Sequence, residues 1–114
     1  MDVNFFELKF LITDSFYSQV LKNGYSYEQA SGICYESFFE YVNCNSIESV
    51  IAVSTIIRLK TRHKLQLTKY DIENMKKILE LLNVLHLDKI LNDSESGYLE
   101  EDIQIIEYQF KELR

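Results

Sequence analysis

The run VIAVSTII, residues 50–57, is apolar on nearly every side of a helical wheel. A helix without a polar face needs neighbours all round it, so this stretch predicts a central helix from Ile47 to about Thr61. The rest of the chain must then supply amphipathic helices to cover it.

On the N-terminal side, Phe5, Leu8, Ile12, Phe16 and Val20 recur at three- and four-residue intervals. That spacing predicts a first helix over about 4–22, its apolar face widened by Phe6, Phe10, Tyr17 and Leu21. Gly24, after Lys22 and Asn23, suits the left-handed conformation that ends a helix at low steric cost. Ser26 with Gln29 three residues on forms a capping box that opens a second helix. Tyr27, Ala30, Cys34, Phe38, Tyr41 and Val42 carry the stripe of that helix, and Asn45 with Glu48 marks the next cap.

On the C-terminal side, the basic connector RLKTRHKLQL (58–67) leads to Thr68 and Asp71, which mark another helix start. Ile72, Met75, Ile78, Leu79 and Leu82 give that helix a clean stripe. NVLHLDKILND (83–93) reads as a short helix or irregular packing, and SESG (94–97) as a loop. Leu99, Ile103, Ile106, Phe110 and Leu113 form a last amphipathic helix starting near residue 98. Proline is absent and glycine occurs only at 24, 32 and 97, too little turn chemistry for a many-stranded sheet. The expected fold is therefore all-α: one domain over residues 1–114, a single compact bundle of five to six helices, with no internal repeat.

A formal charge of −6 conceals a segregation. Residues 1–57 carry −5, residues 58–77 carry +5, and residues 78–114 carry −6. From Asp93 to Glu107 the acids Asp93, Glu95, Glu100, Glu101, Asp102 and Glu107 have no base among them. Acids in the first turn of a helix favour its dipole, which accounts for Glu100 to Asp102. The surplus suggests an acidic surface that attracts basic partners and repels nucleic acid. The segment Arg58, Lys60, Arg62, His63 and Lys64 is the alternative contact surface, for nucleic acid or an acidic protein. A patch so small gathers few phosphate contacts, and cations at a helix C-terminus also complement the dipole or pair with the acidic ends of the chain.

Catalytic and metal signatures are thin. There is no phosphate-cradling glycine loop, no GxSxG elbow and no HExxH. Glu36 and Glu40 share a helix face, but Lys60 and Asn83 stand three residues before His63 and His86, where a carboxylate bundle site needs glutamate. Cys34, Cys44, His63 and His86 match no zinc spacing. No enzyme, no metal and no cofactor is expected. His86, between leucines, reads as a hydrogen-bonded structural histidine, and Cys34 as a small core residue.

The cysteines are ten residues apart, about 15 Å along a continuous helix and too far for a disulfide, a limit that an intervening turn relaxes; two cysteines without a secretion signal suggest a reducing compartment. Asp2, Glu7 and Lys9 do not suit a secretion signal, and no apolar run approaches the roughly 20 residues that span a bilayer. A cytoplasmic protein without a membrane partner is the expectation.

Gly24, Tyr25, Ser26, Glu28 and Ala30 form a GYS-x-E-x-A helix start after an amphipathic first helix. An apolar helix then leads into a basic turn with Leu59, Lys60, Arg62 and Leu65, a displaced LK-x-x-R-L. Over residues 4–82 this pattern resembles the third-numbered family of small immunity proteins of bacterial polymorphic-toxin systems. The chain departs from that family in having no tryptophan in the apolar helix, and His63 and Lys64 where a glycine is usual.

The resemblance implies an all-α immunity protein that binds and neutralises a cognate toxin domain, often a nuclease, in the cytoplasm of the producing bacterium. Nuclease toxins need a positive cleft, which an acidic binder can occupy or distort. The expected contact residues are Asp93, Glu95, Tyr98, Glu100, Glu101 and Asp102, with Tyr35, Glu36 and Glu40 flanking a second face. Tyr25, Tyr27, Tyr35, Tyr41 and Tyr98 are the candidate aromatic anchors.

Overall fold

The computed structural model describes residues 4–112, so Asp2 and Leu113 lie outside the described residues. Among the described residues seven helices follow in order: α1 (Phe5–Leu21), α2 (Tyr27–Ser37), α3 (Phe39–Val42), α4 (Ile47–Arg62), α5 (Lys69–Leu82), α6 (Leu87–Ile90) and α7 (Asp93–Glu112). The central position of α4 follows from its apolar circumference. Every residue from Glu48 to Ile57 is buried, and α4 packs against α1, α2, α3, α5 and α7.

The partners of α4 present the residues expected of them. Phe5, Leu8, Ile12 and Phe16 of α1 are buried, with Ala30 and Cys34 of α2, Met75 and Ile78 of α5, and Leu99, Ile103 and Ile106 of α7. The widened face of α1 is not observed: Phe6, Phe10 and Leu21 are exposed, and Tyr17 alone of that set is half-buried. Helix starts obey local chemistry. Asn4 Oδ1 accepts from the backbone of Phe6 and Glu7, and reciprocal capping boxes join Ser26 to Gln29 and Thr68 to Asp71. Gly24, at φ +73°, provides the left-handed residue between α1 and α2.

The count of seven corrects the expectation of five to six helices. The helix expected over Tyr27 to Val42 breaks at Phe38 (φ −111°, ψ 26°), which turns Val42 into the core and leaves Phe39 outside. No proline or glycine marks the break. The Val42 carbonyl at the end of α3 accepts from Ser49 Oγ (2.8 Å) and Lys77 Nζ (2.6 Å), so the C-terminal end of this short helix is satisfied by tertiary partners. Residues 87–90 form the short α6, and α7 starts five residues before the expected position. Asn92 Oδ1 accepts from Glu95 N (2.8 Å) and Glu95 Oε1 from Asn92 N (2.9 Å), a capping box that makes the SESG stretch helical. The α4 cap is Ser46 rather than Asn45, with its hydroxyl directed to the Glu48 carboxylate.

Candidate protein-binding surface

The basic end of α4 is largely consumed inside the fold. Lys60, almost fully buried, pairs with the carboxylate of Asp71, which is fully buried. The same carboxylate accepts from Tyr35 Oη (2.5 Å), Thr68 N (2.7 Å) and Thr68 Oγ1 (3.0 Å). Two residues earlier, and so on another face of α4, Arg58 donates to Asp102 Oδ1 (2.5 Å), and Lys9 of α1 engages the other oxygen of that carboxylate. Glu101 stands 3.9 Å from Arg58. Of the expected basic patch, only Arg62 and Lys64 are exposed; His63 stacks on Tyr27 (3.9 Å between ring centres) and meets the Tyr17 hydroxyl through Nε2 (2.9 Å).

This pairing divides the acidic run of α7 into two sets. Asp102 is 1% exposed and belongs to the interior, and Glu95 is committed to the helix cap. Asp93, Glu100 and Glu107 instead line a groove of about 520 Å³ between α6 and α7. Its apolar lining is Leu82, Leu87, Leu91, Leu99 and Ile103, and Asp88 of α6 adds a fourth carboxylate. Among the described residues no lysine, arginine or histidine lines it, and none of these four acids is in an ion pair. Asp88 and the leucines of residues 82–91 were absent from the expected site because the 83–93 stretch has no clear periodicity; the signal for them is leucine recurring beside an isolated aspartate.

The remaining expected contact residues are scattered. Tyr98 is half-exposed and meets Phe6 edge-on (5.4 Å), on another part of α7. Tyr35 is buried over Asp71, with burial foremost and the neighbouring carboxylate next holding its phenol well above the ordinary tyrosine range. Glu36 lines a second groove, and Glu40 is exposed on α3. His86 is exposed and makes no side-chain cap bond, contrary to its expected structural role.

Both cysteines are free thiols; burial pushes Cys34 up to about 11, and its Sγ faces the Ile12 carbonyl at 3.7 Å. Among the described residues no three His, Cys, Asp or Glu side chains gather where they could hold a metal ion, and no helix is long and apolar enough to cross a membrane. In comparisons with known proteins, no family model, no curated protein and no solved structure matches the chain.

Proposed function

We propose that this chain is a binding protein that neutralises a basic toxin domain in the cytoplasm of the producing cell, and that the α6–α7 groove is its contact surface. The observation that carries this reading is the pairing pattern: Asp88, Asp93, Glu100 and Glu107 surround an apolar floor, and no cation among the described residues pairs with them. A leucine-lined floor can take an apolar anchor, and the carboxylate rim selects lysine and arginine around that anchor. A nuclease cleft offers that chemistry, because it gathers cations to hold phosphate. The resemblance to immunity proteins points to the same role. Nucleic-acid binding through residues 58–64 is disfavoured, since Arg58 and Lys60 are already bound to Asp102 and Asp71.

The test is co-expression with the toxin domain encoded beside the gene, scored as survival. Protection is expected, and Glu100→Lys with Glu107→Lys should weaken the measured dissociation constant by at least about tenfold, as expected for losing charge complementarity at two contacts. Reversal at Arg62 and Lys64 should change it by less than about threefold, as is usual for charges outside an interface. Loss of protection against every adjacent toxin domain sinks the proposal; an equal effect of the two charge reversals moves the contact to another face.

A further inference from the structure

Gly32 lies in the middle of α2, where glycine lowers helix stability relative to alanine. Nothing in the fold requires it. Its backbone is not left-handed, and a Cβ at this position would meet no heavy atom within 4 Å. What the missing side chain does is leave a gap on the face of α2. Glu28 and Glu36 stand one turn to either side, eight residues apart and so about 12 Å along the same face. With Tyr35, Phe39 and Tyr70, these residues line a groove of about 490 Å³.

The surroundings define what such a groove accepts. Glu28 and Glu36 are exposed, and among the described residues neither has a cationic partner. Lys60 also lines the groove, but its ammonium is neutralised by Asp71. Tyr70 rises from the first turn of α5 as an exposed ring, set edge-to-face on Tyr35 (4.9 Å, 76°), and Tyr35 is anchored through its hydroxyl to Asp71. Phe39 is 58% exposed. Exposed aromatic rings, one of them packed on the anchored Tyr35, beside carboxylates that no described cation pairs with match a planar, weakly hydrated cation that can both stack and donate several hydrogen bonds.

We infer that the groove at Gly32 receives an arginine side chain of a protein partner, its guanidinium lying over Gly32 between Glu28 and Glu36 and against the ring of Tyr70. A lysine ammonium fits less well, because it is more strongly hydrated and has no planar face to lay on the ring. This site is separate from the α6–α7 groove and does not depend on the partner being a toxin. Its presence gives the chain a second point of recognition, at which the backbone of α2 is approached closely.

The test is a titration of the full chain with N-acetylarginine amide, followed by backbone amide NMR shifts, beside N-acetylcitrulline amide as the uncharged isostere. Saturable shifts at Gly32, Glu36 and Tyr70 are expected with the arginine amide and not with citrulline. Glu28→Gln with Glu36→Gln should weaken that binding by about tenfold, in keeping with loss of charge-assisted contacts. Gly32→Leu should abolish it by filling the gap while leaving the dispersion of the remaining amides intact. Gly32→Ala is expected to raise the unfolding temperature, which separates the role of the gap from folding.

No saturable shift at these residues, equal shifts with citrulline, or unimpaired binding to Gly32→Leu each overturn the inference. So does tighter binding of free L-arginine than of the amide, which would mark an amino-acid site. None of these readouts involves a toxin, so failure here and failure of co-expression protection are separate results.

Discussion

Asp71 and Asp102 are both buried aspartates paired with the C-terminal half of α4, yet they are built differently. Asp71 is enclosed: its partner Lys60 is also buried, and Tyr35 and the cap residue Thr68 take up its remaining lone pairs. Asp102 is a clamp with an open side. It joins Lys9 of α1 and Arg58 of α4 to α7, and those cations keep 22% and 30% of their side-chain surface in water. A charge whose partner has no access to solvent depends on that partner alone, whereas one with exposed partners shares them with water. The two sites should therefore fail to different degrees and in different ways.

Replacing Asp71 with asparagine is the harshest way to break the enclosed site. The cap geometry can be kept by the amide, but Lys60 is left as a buried cation without a counter-charge. A loss of about 3–5 kcal/mol is expected from urea unfolding, the usual consequence of removing one member of a buried pair. Adding Lys60→Met to Asp71→Asn should restore much of it, because no uncompensated charge then remains. A double variant no more stable than Asp71→Asn would show that the pair itself stabilises the fold.

At the open site, Asp102→Asn should cost about 2 kcal/mol, as for loss of a hydrogen bond to a charged group, and less than at Asp71 because Lys9 and Arg58 can turn outward to water. The loss should also be local. Amide hydrogen exchange in α7 is expected to accelerate more than in α4 or α5, since the clamp is the charged tie that holds α7 to α1 and α4. Uniform acceleration across all helices would erase the distinction between the two sites.

The same contrast explains what the sequence made legible. The α4 run, the boxes at Ser26 and Thr68, and the positive φ of Gly24 depend on residues within one turn of each other, and each was readable from spacing. Lys9 and Asp102 are ninety-three residues apart and Lys60 and Asp71 eleven, and no local period encodes such pairs. Charge counting placed Asp102 on the contact surface, and pairing of the 58–64 cations with the acidic ends of the chain, which Arg58 makes with Asp102, stood only as an alternative to a patch. The short α3 that follows the break at Phe38 was hidden for a related reason, because its terminal carbonyl, that of Val42, is satisfied by Ser49 and Lys77 from other helices. The Asn92–Glu95 box was local and readable in kind, but the small polar residues around it looked like a loop. Of the candidate surface, the α7 acids were visible in sequence and their α6 wall was not.

The mildest perturbation of the enclosed site is Tyr35→Phe, which deletes one hydrogen bond to Asp71 and leaves the ring, Lys60 and Thr68 in place. At pH 8 the variant should be about 1.5 kcal/mol less stable, the lower end of the net value of a hydrogen bond to a charged group. The pH dependence then distinguishes enclosure from simple contact. Burial, and next the Asp71 charge, raise the Tyr35 phenol above its ordinary value near 10. In the folded chain it therefore keeps its proton above pH 10, while in the unfolded chain it releases it. The unfolded state binds fewer protons there, so the tyrosine's contribution is complete below pH 10 and falls by up to about 1.4 kcal/mol for each pH unit above it. Phenylalanine has no such loss. The stability gap between the two proteins is thus expected to shrink almost to nothing near pH 11 in urea unfolding. A gap that stays constant from pH 8 to pH 11 would mean that Tyr35 ionises as freely folded as unfolded, and that the enclosure around Asp71 opens to solvent.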